Sequence, residues 1–158
     1  MADLLAPWRV TLLAYDPYVE DAKFVHHNVK RMDLETLLNQ SDVVTLHCDL
    51  NEETTNLIST EALEKMKPTA ILVNAARGPC VDLNSLVDAL LQEKSAGAAV
   101  DAVTEEPPNP QSALLGLEDK LLLSPHMITA NHGGGLVPAI PWVEAAIYSA
   151  LEGEVPNY

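Results

Sequence analysis

The sequence is short of positive charge. Nine lysine and arginine residues stand against 23 aspartate and glutamate residues in 158 positions, which gives a formal net charge of −14. Nucleic acids and anionic membrane surfaces are bound through basic patches, so this balance argues against both kinds of partner. The acidity itself is typical of a solvated surface whose like charges keep molecules apart.

Long apolar runs and cysteines are scarce as well. The longest apolar runs, such as residues 70–73 and 121–123, fall far short of the ~20 residues of a membrane-spanning helix. The amino terminus lacks the basic start and apolar core of a signal peptide. Cys48 and Cys80 are too few for a disulfide framework, and each lies beside an apolar run. We therefore expect two buried free thiols in a cytoplasmic protein.

Apolar runs alternate with amphipathic segments along the chain. We predict strands over residues 10–15, 42–47, 70–74, 97–100 and 121–123. We predict helices over residues 32–40, 60–66, 83–92 and 140–153, the first and third with Asp33 and Asp82 as N-caps. Strands separated by helices of this length predict βαβ units and a parallel sheet. Three prolines predict an irregular loop over residues 105–119.

An arginine, two carboxylates and a histidine follow successive predicted strands. In chain order they are Arg77, Asp101, Glu106 and His126. Because the carboxyl ends of parallel strands open on one crevice, we expect Arg77, Glu106 and His126 on one rim. Arginine offers a planar fork to a carboxylate, and a glutamate-paired histidine is held as imidazolium and can donate a proton. The set predicts a site that holds an α-keto carboxylate and moves a proton at its carbonyl.

Each of these residues, and Asp16 directly after the first predicted strand, has a plainer interpretation when it is taken alone. Asp16 before a proline is a common turn former, and Arg77 could be a surface arginine in a turn. Asp101 could cap a turn, His126 could be a loop histidine, and Glu105 is a neighbouring alternative to Glu106. The plainer interpretations lose weight only because the residues occur together in this order.

No metal site is predicted. His26, His27 and His132 do not have metal-ligand spacing with other histidines or with the cysteines.

Several longer stretches carry a family resemblance. In chain order they include Tyr15-Asp16-Pro17, Ser41-Asp42-Val43-Val44-Thr45-Leu46-His47-Cys48, Met66-Lys67-Pro68, Leu72-Val73-Asn74-Ala75-Ala76-Arg77-Gly78, Gly97-Ala98-Ala99-Val100-Asp101, Glu106-Pro107 and Ser124-Pro125-His126. Over nearly the whole chain this order resembles the D-isomer-specific 2-hydroxyacid dehydrogenase family. Leu46-His47-Cys48 with Leu50-Asn51-Glu52 most resembles its C-terminal-binding-protein branch.

The resemblance implies a doubly wound, Rossmann-like α/β fold, NAD as cofactor and a small 2-keto or 2-hydroxy acid as substrate. It also implies a homodimer in the full-length form. Arg77, Glu106 and His126 would be the catalytic residues. Asp16 would accept the ribose hydroxyls and repel a 2′-phosphate, which favours NAD over NADP. Cofactor contacts are implied at Asp16, Cys48, Asn51, Thr54, Ala75, Ala76, Arg77 and Asp101.

The sequence departs from the family pattern at two places. Its first glycine is Gly78, so no Gly-x-Gly-x-x-Gly turn, which would seat the cofactor pyrophosphate, precedes Asp16. The residues directly after His126 also differ from the family pattern, which leaves the keto acid unassigned.

We therefore expect a truncated, partial dinucleotide-binding domain over residues 1–126, lacking the first βα unit and the substrate domain. Residues 127–158 are expected to form a hinge loop and a helix that would return to that substrate domain. By itself such a chain is expected to be inactive as a dehydrogenase. The alternative is a non-catalytic fragment or interaction module, which would use the unpaired sheet edge beside residues 10–15.

Overall fold

The structure, a computed structural model, describes residues 1–126 of the chain. The helices in this part are α1 (Ala2–Leu5), α2 (Asp21–His26), α3 (Leu34–Gln40), α4 (Thr60–Lys65) and α5 (Leu83–Leu91). The strands are β1 (Leu13–Ala14), β2 (Lys30–Arg31), β3 (Val43–Leu46), β4 (Ile71–Asn74), β5 (Gly97–Val100) and β6 (Leu121–Leu123). Short 3₁₀ helices cover Ala6–Trp8, Gly78–Cys80 and Ala113–Gly116.

The chain divides into two compact units, Met1–Pro125 and His126–Tyr158. Of the second unit only His126 is among the described residues. The predicted hinge loop and the predicted helix over residues 140–153 lie outside them.

Every strand pair in the described part is parallel. β3, β4, β5 and β6 form one sheet in that order, and β1 pairs with β2 in a second, smaller sheet. This confirms the predicted α/β class with a parallel, Rossmann-like sheet. The strands predicted at residues 97–100 and 121–123 have the predicted bounds. The predicted loop over residues 105–119 contains one short 3₁₀ helix.

The four-stranded sheet buries one face. Val44 and Leu46 of β3 are buried, whereas the alternate residues Val43 and Thr45 are exposed. The buried side chains join one core with residues of α3, α4 and α5. Its members that are 2% exposed or less and lie in these helices and in β4 and β5 are Leu38, Leu63, Leu72, Leu86, Leu90 and Val100. The core thus fixes the positions at which β3, β4 and β5 end.

Side-chain caps begin three of the helices. The carboxylates of Asp33 and Asp82 and the hydroxyl of Ser59 accept hydrogen bonds from amide N–H groups in the first turns of α3, α5 and α4. Each cap satisfies a donor that the helix itself leaves unpaired. The two aspartate caps predicted from the sequence are confirmed.

Loss of the α5 cap should lower stability measurably. The Asp82 carboxylate accepts from the amides of Asn84 and Ser85 at 3.1 and 3.2 Å. We expect Asp82→Ala to reduce the free energy of unfolding by about 1 kcal/mol in a urea titration. Asp88→Ala is the matched control, because it removes the same charge from an exposed position of the same helix. Equal losses for the two variants would mean that charge, rather than capping, sets the effect.

Candidate functional site at the carboxyl edge of the sheet

The ends of the four long strands lie in one row. Leu46 of β3 pairs with Asn74 of β4, Asn74 with Val100 of β5, and Val100 with Leu123 of β6. The chain leaves all four strands at the same edge of the sheet. The segments that begin there carry Cys48, Ala75, Ala76, Arg77 and Asp101. This edge is the candidate site.

The turn that carries Arg77 is shaped by Asn74. The Asn74 side chain is fully buried; its amide nitrogen donates to the Arg77 carbonyl at 2.9 Å, and its oxygen accepts from the Ala76 amide at 3.0 Å. The Arg77 side chain is exposed, and one guanidinium nitrogen donates to the Ala76 carbonyl at 2.8 Å. The buried Asn74 side chain therefore fixes the backbone of the turn, while the Arg77 guanidinium faces solvent.

Backbone contact joins the Arg77 turn to the segment that carries Glu106. A Cβ placed on Gly78 would lie 2.4 Å from the Val103 carbonyl carbon and 2.7 Å from the Thr104 nitrogen. The Val103 amide in turn donates to the Glu106 carboxylate at 3.1 Å. Glu106 is exposed, and its peptide bond to Pro107 is cis. Residue 78 thus has room only for a glycine in this arrangement.

Asp101 is buried where β5 ends. The residue is 9% exposed, and its carboxylate accepts a hydrogen bond from the Ser124 hydroxyl. The Ser124 amide also donates to the Val100 carbonyl at 3.0 Å. These bonds join the end of β6 to the end of β5, and Ser124 stands two positions before His126 in the sequence.

Asp16 follows β1 and borders a pocket of about 480 Å³. The pocket is lined by Tyr15, Asp16, Pro17, Arg31, Met32 and Asp33. The amides of Tyr18 and Val19 donate to Oδ1 of Asp16 at 2.9 and 3.2 Å. Within residues 1–126, hydrogen bonds to this carboxylate reach only Oδ1, so Oδ2 remains available to a ligand.

Arg31 holds the same loop in place. Its guanidinium pairs with Asp21 at 2.6 Å and donates to the Asp16 carbonyl at 3.2 Å. The Arg31 guanidinium at the pocket is therefore already paired with a carboxylate and hydrogen-bonded to backbone carbonyl oxygens.

The loop after β3 meets the loop after β1. The Tyr18 hydroxyl donates to the Glu53 carboxylate, and this hydrogen bond raises the pKa of Tyr18. Two of the predicted cofactor contacts, Asn51 and Thr54, are hydrogen-bonded inside the β3 loop: the Asn51 side chain accepts from the Thr54 amide at 3.0 Å, and the Thr54 hydroxyl donates to the Asp49 carbonyl at 2.6 Å. These bonds shape the loop; contact with a cofactor remains a prediction for both residues.

His126 begins the second compact unit. It lies three residues beyond β6, its side chain is exposed, and its φ is 55°. Its pairing with Glu106 remains a prediction.

Three residues of this edge had no predicted role. Asn74 shapes the arginine turn, Gly78 admits the Val103 backbone, and Ser124 donates to Asp101. Asn74, Gly78 and Ser124 do stand in the stretches that carry the family resemblance. A single amide, glycine or hydroxyl, however, has no sequence signal for a positioning role until its neighbours are known.

In residues 1–126 there is no group of three or more histidine, cysteine or acidic side chains that could hold a metal ion. Across the same range, none of the helices combines the length and the apolar character needed to cross a membrane.

Comparison with known proteins identifies relatives. The sequence model of the "D-isomer specific 2-hydroxyacid dehydrogenase, NAD binding domain" family matches residues 1–127. The chain is 43% identical over 133 residues to a glyoxylate reductase of Thermofilum pendens, which covers 82% of this chain and 38% of that protein. It is also 43% identical over 122 residues to a D-3-phosphoglycerate dehydrogenase of Archaeoglobus fulgidus, covering 77% of this chain and 23% of that protein.

Solved structures give the same picture. The PH0520 protein of Pyrococcus horikoshii superimposes with a TM-score of 0.86 at 29% identity, over 99% of this chain and 46% of that one. A D-lactate dehydrogenase of a Sporolactobacillus species gives 0.79 at 33% identity, over 95% of this chain and 47% of that one. The chain spans less than half the length of each of these four proteins.

Proposed function

The chain belongs to the D-isomer specific 2-hydroxyacid dehydrogenase family, and on that premise we propose that it is the cofactor-binding part of an oxidoreductase acting on a 2-keto or 2-hydroxy acid. NAD is the cofactor of this family. When bound, NAD supplies or accepts the hydride. The observation that carries the proposal is the single row of strand ends, from which the segments with Cys48, Arg77 and Asp101 all leave the sheet.

The pocket beside Asp16 fits the adenosine half of NAD. Oδ2 of Asp16 can accept from a ribose hydroxyl, since the loop amides occupy only Oδ1. A 2′-phosphate would meet the same carboxylate, and Arg31 is engaged with Asp21 and a backbone carbonyl. This arrangement favours NAD over NADP.

Arg77 is proposed to hold the substrate carboxylate. One terminal nitrogen of its guanidinium donates to the Ala76 carbonyl, which sets the plane of the group and leaves the rest of the fork to the substrate. Ala75 and Ala76 are half-buried and small, so the backbone can approach the nicotinamide closely. Cys48, Asn51 and Thr54 are proposed to contact the cofactor from the β3 loop, and Asp101 to accept from its carboxamide.

Glu106 and His126 are proposed to handle the proton. The Val103 amide fixes the Glu106 carboxylate, which would orient the His126 ring and hold it as imidazolium. His126 would then protonate the carbonyl oxygen of a keto acid during reduction. We also propose that the full-length protein is a homodimer and that it is cytoplasmic.

Binding of NADH to the 158-residue chain tests the cofactor half of this proposal. The sequence contains no Gly-x-Gly-x-x-Gly turn, so no such cluster of backbone donors meets the pyrophosphate. We expect a dissociation constant of about 1 mM by calorimetry, weakened at least about tenfold by Asp16→Ala because the ribose contact is lost. Glu20→Ala, which removes one exposed charge from the same loop, should leave the affinity unchanged. A micromolar constant that is indifferent to Asp16→Ala would contradict the assignment.

A second candidate function is a strand-pairing interaction module. It is supported by one observation. Within residues 1–126, β1 pairs only with β2, and β3, the first strand of the four-stranded sheet, pairs only with β4, so each has one unpaired edge. Unpaired strand edges are templates for another chain. Such a module would show no NADH binding that depends on Asp16, so the same calorimetry separates the two candidates.

A further inference from the structure

The two cysteines of the chain lie next to each other. The Sγ atoms of Cys48 and Cys80 are 3.9 Å apart, although 32 positions separate the residues in sequence. Cys80 is fully buried in the 3₁₀ helix after Arg77, and Cys48 is half-buried in the loop after β3. They are the only cysteines in the sequence, so either thiol has one intramolecular partner.

The segments that carry the two thiols are already strapped together by backbone hydrogen bonds. The Asn56 amide donates to the Pro79 carbonyl at 2.8 Å, and the Ile58 amide donates to the Cys80 carbonyl at 3.0 Å. The Asp82 amide returns a bond to the Ile58 carbonyl at 3.1 Å. A sulfur–sulfur bond of about 2.05 Å requires the Sγ atoms, now 3.9 Å apart, to approach each other by nearly 2 Å.

We propose that Cys48 and Cys80 are a dithiol–disulfide modification site, oxidised by a peroxide to an internal disulfide that links the β3 loop to the Arg77 turn. The proposal does not depend on NAD binding or on dehydrogenase activity. It differs from the sequence-based expectation of two free thiols by adding an oxidised state.

The exposure of the two thiols assigns their roles in the reaction. Cys48, the more accessible one, attacks the peroxide as thiolate; an S–O bond forms, the O–O bond breaks, and the departing hydroxide takes up a proton as water. The Cys80 thiolate then attacks the Cys48 sulfenic sulfur; the S–S bond forms and the S–O bond breaks, releasing a second water. Two thiols lose two electrons and two protons, and hydrogen peroxide is reduced to two waters.

The environment of Cys48 sets the pH dependence of the first step. Burial, with the Cys80 thiol beside it, raises the pKa of Cys48 to about 11. The thiolate is the nucleophile, so the reaction is slow near neutral pH. Between pH 7 and 10 the oxidation rate should rise about tenfold per pH unit, as the thiolate fraction does.

Peroxide treatment of the whole chain tests the proposal. After incubation with hydrogen peroxide at pH 7, 8 and 9, we expect both thiols to be lost together to maleimide labelling in denaturant. The monomer mass should fall by about 2 Da, the two hydrogen atoms removed, and dithiothreitol should restore it. The thermal midpoint of the oxidised protein should be higher by roughly 5 °C or more, because the cross-link restrains the unfolded chain.

Single-cysteine variants serve as controls. In Cys80→Ala the half-buried Cys48 should gain about 16 Da as a sulfenic acid or form an intermolecular dimer, with no monomer lighter by 2 Da. In Cys48→Ala the buried thiol should react more slowly than either thiol of the unmodified chain. If a variant fails to fold, the peroxide experiment on the protein without substitutions still tests the proposal. Thiols that persist at pH 9, an intermolecular dimer as the product, or oxidation of Cys48 with Cys80 still free would each overturn the proposal.

Discussion

Gly78→Ala is expected to destabilise the folded protein by about 3 kcal/mol or more, the largest loss among the glycine-to-alanine substitutions in the described part of the chain. The new Cβ would lie 2.4 Å from the Val103 carbonyl carbon and 2.6 Å from its oxygen. These are backbone atoms, so no side-chain rotation can relieve the overlap. Either the Arg77 turn or the Val103 segment has to move, and the hydrogen bond from the Val103 amide to Glu106 moves with it.

Gly116→Ala is the matched control for this prediction. A Cβ at Gly116 meets nothing within 4 Å, so the same methyl group enters open space. The loss of freedom in the unfolded chain should make that variant equal to the unmodified protein or slightly more stable. Urea titrations of the two variants give the comparison. Equal stability of Gly78→Ala and Gly116→Ala would show that the Arg77 turn is not packed against the Glu106 segment.

The fold was predictable wherever a strong periodic pattern coincided with a cap or a turn signal. β5 and β6 have the predicted bounds, and α3 and α5 begin after their predicted aspartate caps. In these segments the apolar period, the cap and the flanking turn all favour one structure. The other three predicted strands are each shorter in the structure by one or more residues, because an apolar pattern does not fix the residue at which a strand begins or ends.

The sequence patterns did not predict β2 and α2, for a physical reason. β2 has two residues, both exposed, and α2 buries only Phe24. A two-residue strand has no period to detect, and a helix that buries one side chain has no apolar stripe. Both elements contact neighbours in the structure: β2 pairs with β1, and Asp21 at the start of α2 forms an ion pair with Arg31 of β2.

The sequence could predict where the residues of the candidate site lie, but not what supports them; their roles remain predictions. Residue type and strand order predicted that Arg77 and Asp101 follow strand ends, and the register places both strand ends at one edge of the sheet. The hydrogen bonds from Asn74 and Ser124 depend on which strands are neighbours and on their register, and neither follows from local sequence. The same is true of the close approach at Gly78. Positioning groups are recognised only once the fold has set the distances.

The second large effect concerns proton transfer and needs a protein that turns over. We consider a hybrid in which residues 1–127, the span that the family model matches, replace the corresponding segment of the Thermofilum pendens glyoxylate reductase. In this hybrid we expect His126→Ala to lower kcat for glyoxylate reduction by roughly 10²–10⁴-fold, the usual contribution of a positioned proton donor. The dissociation constant for NADH should not change, since the proposed role of the imidazole is at the carbonyl oxygen. That split between kcat and cofactor affinity distinguishes an acid from a residue that only supports the fold.

His26→Ala provides the control for the same hybrid, because His26 is an exposed histidine at the last position of α2. Its kcat should stay within about twofold of the unsubstituted hybrid, as expected for a surface change. Glu106→Gln should fall between the two variants, since the amide keeps the shape of the side chain but removes the charge that holds the imidazolium. An active hybrid whose kcat is indifferent to His126→Ala would remove the proton donor from the proposed mechanism. The strand-pairing module needs no acid, only the edges of β1 and β3 that are unpaired within residues 1–126, and would then be the better account of the chain.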